Sequence, residues 1–146
     1  MNNKKVNEEI LNNLYKNAHI ALQSISDLLP EIDEQMIISE LKEQYDGYEK
    51  IIGEISSYLK DNEITPKDIG PLKKIMLKAS VKMNAAKEDN RTHVAEMMIK
   101  GTIMGITEIR RDLGEYQNVI DPCVETLAKK LLNLEEEYEK KLKNYL

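Results

Sequence analysis

Hydrophobic residues recur at intervals of three and four along four long segments of this chain, which is the spacing of amphipathic α-helices. The segments run from Asn7 to Leu29, from about Pro30 to Asp61, from Thr92 to Leu113, and from Pro122 to about residue 144. Pro30 separates the first two, because proline disfavours helical geometry in the residue before it yet suits the first turn of a new helix. The pattern predicts four long helices, of which the first two are antiparallel neighbours.

A shorter helix is predicted between the second and third long helices. Thr65, Pro66 and Gly70 interrupt the pattern, and an apolar face returns from Pro71 to Lys87. The other faces of this segment carry a basic patch on an otherwise acidic protein. We interpret the patch as a solvated face, with a docking site for an anionic partner as the alternative. Its lysines are Lys73, Lys74, Lys78 and Lys82.

The third long helix is apolar around much of its circumference and carries Gly101 and Gly105 one turn apart. A glycine inside a helix costs about 1 kcal/mol relative to alanine, so two at this spacing indicate a packing reason. We expect another backbone to approach closely there. The helix should therefore be buried against more than one neighbour, and Gly114 should end it.

This order predicts an all-α, ferritin-like four-helix bundle with an additional short crossover helix, formed by one domain over residues 1–146. Two segments of the chain carry a resemblance to a known family. They are the segment around His93, THVAEMMIKGTIMGI, and the final segment, LAKKLLNLEEEYEKKLKNYL. The chain resembles a family of small uncharacterised proteins from Firmicutes that are predicted to be helical bundles. The resemblance spans the chain, and it implies a fold and no activity.

Composition narrows the class of function. The net charge of -5 and the pI near 5.2 oppose binding to nucleic acid, which begins with a basic surface. The polar N-terminus lacks the apolar core of a signal peptide, and no apolar run is long enough to cross a membrane. The single cysteine, Cys123, excludes an internal disulfide. We expect a cytoplasmic protein without membrane or nucleic-acid partners.

The predicted helices offer few residues that could bind a metal ion. Ferritin-like di-iron proteins place one Glu on each of two helices and a Glu-x-x-His pair on each of the others. This chain contains no Glu-x-x-His, and inward positions of its third helix hold glycine and threonine. We predict no metal and no cofactor. The weak candidate ligands are His19, His93 and Glu96.

Glu135 is the most informative polar residue, because it lies about 40° from Leu131 on the helical wheel and so within an apolar stripe. A buried carboxylate must be paired, hydrogen-bonded or protonated. One hypothesis is a structural polar network that fixes helix register. The alternative is a pocket for a small molecule or ion, with Gly101 and Gly105 opening space beside it. The inward polar groups that could join Glu135 are Gln44, Tyr45, Tyr48 and Thr102.

No nucleophile motif or phosphate-binding loop occurs, so we predict a protein that is not an enzyme. Its predicted role is self-association or binding to another protein, with a homodimer contact through Met97, Ile103 and Met104. The alternative function is a metal- or small-ligand-binding bundle with a pocket near Glu135 and Gln44.

Overall fold

A computed structural model describes residues 2–66 and 90–146 of the chain. These residues form four α-helices and no strand, which confirms the predicted all-α four-helix bundle. The helices are α1 (Asn3–Leu28), α2 (Gln35–Asp61), α3 (Asn90–Glu115) and α4 (Pro122–Lys143), and a 3-10 turn covers Leu29–Glu31. The predicted crossover helix at 71–87 and its lysine patch lie outside the described residues.

Two helix boundaries differ from the sequence prediction. Pro30 lies in the 3-10 turn, and α2 begins only at Gln35, where the Glu34 carboxylate accepts a hydrogen bond from the backbone N–H of Met36. A side-chain cap therefore starts α2 in place of proline. The other difference is small, because α3 ends at Glu115, one residue beyond Gly114, near which its end is predicted.

Contacts between the helices define their directions. Asn13 contacts Asp112 and Asn17 contacts Gly105, so residue numbers rise along α1 as they fall along α3. The pairs Tyr48–Glu135 and Glu54–Lys130 show the same antiparallel relation between α2 and α4. Asn7–Asp121 and Asn17–Glu135 show that α1 and α4 are parallel. Helices α1 and α4 thus run one way and α2 and α3 the other, so α2 ends and α3 begins at opposite ends of the bundle.

The hydrophobic core is formed by the apolar stripes that the sequence predicts on each helix. These stripes face inward because burial of apolar surface is favourable. Tyr48 on α2 is also fully buried, in a chain that has no Phe or Trp. Within the described part of the chain, no helix combines the length and apolarity that a membrane crossing requires. The largest fully buried aliphatic side chains are Ile10, Leu11, Leu14, Ile25, Leu28, Ile37, Leu41, Ile55, Leu59, Leu131 and Leu142.

Asn7 joins the start of α1 to the connection between α3 and α4. Its amide nitrogen donates to the carbonyls of Asn3 and Val119, at 2.8 and 3.0 Å. Its amide oxygen accepts from the backbone N–H of Asp121 at 2.8 Å. The predicted N-cap, Asp121, therefore occupies the cap position without a side-chain cap bond, and a buried asparagine from another helix binds its backbone.

The outer face of α3 is more exposed than its apolar sequence predicts. Ile103 is 42% exposed and Met104 is 68% exposed. A Cβ atom placed on Gly101 would meet no described residue within 4 Å, so no backbone from residues 2–66 or 90–146 approaches there. The expected close backbone contact is therefore wrong, and α3 is not buried around its whole circumference.

Helix α2 ends in a motif that places Glu63 in the left-handed region, at φ 56°. The backbone N–H of Ile64 donates to the Leu59 carbonyl at 2.8 Å, and that of Glu63 to the Lys60 carbonyl at 3.1 Å. These are the two hydrogen bonds of a Schellman cap, in which glycine is the favoured left-handed residue. Glu63 therefore holds a conformation that is unfavourable for a residue with a Cβ atom.

We expect Glu63→Gly to raise the free energy of unfolding by about 1 kcal/mol, because glycine adopts this conformation without steric cost. Chemical denaturation monitored by circular dichroism measures the change. Lys50→Gly, at an exposed position inside the same helix, should lower stability by about 1 kcal/mol. Destabilisation by both substitutions would contradict the cap assignment.

Two glycines in α2 should respond oppositely to alanine. A Cβ atom on Gly47 would lie 1.8 Å from the Tyr138 hydroxyl oxygen, whereas one on Gly53 would meet nothing within 4 Å. Gly47→Ala must displace the buried Tyr138 ring, which packs edge-on against Tyr48. We expect it to lower the free energy of unfolding by about 1 to 3 kcal/mol, and Gly53→Ala to raise it by about 1 kcal/mol. Thermal denaturation of the two variants checks the contrast.

Candidate functional site

The Glu135 carboxyl group lies inside the bundle, with the residue only 1% exposed. Oε1 accepts a hydrogen bond from Asn17 Nδ2 of α1 at 2.9 Å. Oε2 accepts one from the Tyr48 hydroxyl of α2 at 3.1 Å. A single side chain of α4 is therefore bound by two other helices.

The fourth helix takes part through Gly105 of α3. Asn17 Nδ2 also lies 3.3 Å from the Gly105 carbonyl oxygen, to which it donates. A Cβ atom on Gly105 would lie 2.8 Å from Glu135 Oε1 and 2.7 Å from Asn17 Oδ1. Glycine is thus required here because two polar side chains, and not another backbone, occupy the space.

Tyr48 is held in place as the donor to Glu135. Its ring contacts Tyr138 edge-on, with centroids 5.4 Å apart. The Thr102 hydroxyl donates to the Met98 carbonyl at 2.6 Å and lies beside the Tyr48 hydroxyl. Burial, together with the neighbouring Glu135 carboxylate, raises the pKa of Tyr48 well above its ordinary value. Tyr48 therefore keeps its proton at physiological pH.

Burial raises the pKa of Glu135 to about 7, because the interior disfavours the charged form. The hydrogen bonds from Asn17 and Tyr48 oppose this rise, and the nearby Glu108 carboxylate adds to it. At neutral pH the carboxyl group is divided between its charged and neutral forms. A small change in its surroundings can then move a proton on or off.

Beside Glu135, a groove of about 380 Å³ opens between α1 and α3. It exists because small residues face one another across it: Ala21 and Ser24 on α1, Gly101 and Gly105 on α3. Glu135 is the one residue of α4 among those that line it. The full lining is Lys16, Asn17, Ile20, Ala21, Ser24, Leu28, Met97, Met98, Gly101, Thr102, Met104, Gly105, Glu108 and Glu135.

The walls of the groove are mainly apolar, and its few polar groups have defined partners or positions. Ser24 donates to the carbonyl of Ile20 at 2.7 Å within its own helix. Lys16 is exposed at the rim, and Glu108 is partly exposed. A mainly apolar cavity with a few placed polar groups is the usual form of a small-molecule site.

Among the described contacts, neither Gln44 nor Tyr45 hydrogen-bonds to Glu135, and neither residue lines the groove described above. Gln44 is fully buried, and its amide nitrogen donates to Glu40 Oε2 at 2.9 Å. Its amide oxygen has no hydrogen-bond partner among residues 2–66 and 90–146. Tyr45 is partly buried against the core. Of the four predicted partners, the structure brings Tyr48 into contact with Glu135, places Thr102 beside Tyr48, and orients Gln44 towards Glu40.

The candidate metal ligands do not form a cluster. His19 packs against Tyr15 with ring centroids 4.3 Å apart, and burial lowers the pKa of its imidazole. His93 is partly buried on α3, and Glu96 is exposed. Over the described ranges, no group of three His, Cys, Asp or Glu side chains is placed to hold a metal ion.

Asn17 is the site residue that the sequence analysis does not single out. It follows the edge of the apolar stripe of α1, one position before the buried Ala18. Its spacing of four from Asn13 places both amides on one side of the helix, and both reach other helices. Paired asparagines beside an apolar stripe are the signal that could have indicated this contact.

Comparison with known protein families, with curated proteins and with solved structures finds no match for the chain. Its function is therefore argued from the site.

We expect Glu135→Gln to change how stability depends on pH. The carboxyl group binds its proton more tightly in the folded protein, at a pKa of about 7, than at the ordinary value of 4.5. Its contribution to stability is therefore full below pH 4.5 and is lost as the pH rises through 7. As the pH rises between these limits, the stability of the parent should fall by about 3 kcal/mol relative to that of the variant. Urea denaturation at several pH values measures the difference.

The matched control for this series is Glu49→Gln, which removes an exposed carboxylate from α2. Its stability should follow the parent protein at every pH. Parallel curves for Glu135→Gln and the parent would show that Glu135 titrates normally, and would contradict the prediction.

Proposed function

We propose that the protein is a ferritin-like helical bundle that binds a small apolar molecule in the groove between α1 and α3, without catalysing a reaction. Two helices that run one way and two that run the other, with a long connection between the second and third, support a ferritin-like topology. The groove supports the binding role. Membership of the Firmicutes family and a cytoplasmic location stay predictions.

The observation that carries this proposal is the shape and lining of the groove. Its volume of about 380 Å³ falls within the range of about 300 to 1,000 Å³ that small-molecule sites occupy. Met97, Met98 and Met104 contribute flexible apolar side chains that adapt to a bound molecule. The buried cluster around Glu135 supplies the few polar groups that would orient it.

Packing energetics favour an occupant. Protein interiors are normally filled to the density of organic crystals, and apolar walls without partners lose dispersion contacts. Here α3 carries glycine at two groove positions despite a cost of about 1 kcal/mol each in a helix. Gly105 is explained by the Asn17 and Glu135 side chains, but a Cβ atom on Gly101 would meet none of the described residues within 4 Å. A molecule bound against Gly101 would explain why this position holds glycine.

The structure adds little support for self-association through Met97, Ile103 and Met104. Ile103 and Met104 are both exposed on α3, but Met104 lines the groove, as does Met97. Single exposed apolar residues are common on monomeric proteins. Self-association stays a prediction, and ligand binding is the function that we favour.

Blocking the groove tests the proposal. Gly101→Leu places a side chain in the open space above Gly101, and leucine favours the helix more than glycine does. We expect the parent protein to bind Nile red, a neutral apolar dye, with a fluorescence increase. The variant should remain folded and bind at least about tenfold more weakly, the loss expected when a few apolar groups no longer fit.

Gly53→Leu is the matched control, because Gly53 lies on the exposed face of α2 and has equally open surroundings. It should bind the dye as the parent does. Equal affinity of the parent and Gly101→Leu, or no binding by the parent, would overturn the proposed function.

A further inference from the structure

We propose that the groove selects an amphipathic organic cation, whose protonated nitrogen pairs with Glu135 while its hydrocarbon part lies between α1 and α3. This inference rests on the proposed function and adds the chemical class of the ligand. It follows from three observations: the free acceptor positions of Glu135, the charges that surround it, and the apolar wall beside it.

Glu135 has hydrogen-bonding capacity that its described partners do not use. An ionised carboxylate offers about four acceptor positions on its two oxygens. Asn17 occupies one on Oε1 and Tyr48 one on Oε2. The residue also lines the groove, so a donor on a ligand can reach it from that side. An ammonium group supplies such donors together with a full positive charge.

The charges facing Glu135 favour a cation over an anion. From α3, the Glu108 carboxylate raises the pKa of Glu135 and so acts on it as a like charge. From α1 the facing group is the neutral amide of Asn17, and from α2 it is the protonated Tyr48 hydroxyl. Lys16 lies at the exposed rim, and none of the ion pairs within the described ranges involves Glu135. Among residues 2–66 and 90–146 the buried acid therefore lacks a counter-ion, which an anionic ligand could not provide.

The apolar wall of the groove favours a ligand whose remaining part is hydrocarbon. Ile20, Leu28 and the methionines of α3 extend along the groove away from Glu135. A small inorganic cation would leave this wall in water, whereas an alkyl or aryl amine covers it and places its nitrogen at the acid. Binding would also favour the ionised carboxylate, so a proton should leave Glu135 as the ligand enters.

Three probes of equal chain length test the inference on the parent protein: octylammonium, octanol and octanoate, each measured by displacement of Nile red at pH 7. We expect octylammonium to bind at least about tenfold more tightly than octanol, because a charge-assisted hydrogen bond forms in a site shielded from water. Octanoate should bind most weakly. Calorimetry in two buffers of different ionisation enthalpy should show proton release with octylammonium and none with octanol.

Glu135→Gln removes the charge and keeps the shape of the side chain. It should lose the preference for octylammonium over octanol that the parent protein shows. Equal binding of octylammonium and octanol by the parent would overturn this inference and leave the proposed function standing. Failure of all three probes, together with no dye binding, would overturn the proposed function as well.

Discussion

The hydrogen-bonded carboxyl group of Glu135 is the constraint on which the arrangement of the four helices depends. It joins α4 to Asn17 of α1 and Tyr48 of α2, and it leaves room on α3 only for a glycine at position 105. A buried polar group that loses its partner is destabilising, typically by about 1 to 3 kcal/mol. A slip of either α1 or α2 by one residue would break one of these bonds. The apolar stripes hold the helices together, and this cluster selects one register for them.

The same cluster explains why the bundle has an opening beside it. Gly105 cannot be replaced by a larger residue without displacing Glu135 or Asn17, and Ala21, Ser24 and Gly101 leave space along the same seam. From the sequence alone, a structural network and a ligand pocket are two alternative interpretations of Glu135. In the structure they share residues, because the carboxyl group that orients the helices also lines the groove. Ligand binding therefore requires no polar residues beyond those that already fix the positions of the helices.

Local patterns predicted the helices well, and contacts between helices were predicted poorly. The intervals of three and four are a property of each helix alone, so the four elements and the inward direction of Glu135 followed from the sequence. The contact between Asn17 and Glu135, 118 positions apart, depends on how α1 lies against α4. The two glycines of α3 were assigned to a close backbone contact because the sequence does not show whether side chains or open space would face them.

The long-range hydrogen bonds of Asn7 affect the order in which parts of the chain can fold. Two of its three hydrogen bonds connect the first turns of α1 to the backbone at Val119 and Asp121, more than a hundred positions later. During synthesis on the ribosome, α1 and α2 can pair early, but the long-range hydrogen bonds of Asn7 cannot form until Val119 and Asp121 have emerged. Closing so large a loop is entropically slow. The N-terminal end of the bundle is therefore among the last parts to reach its final structure.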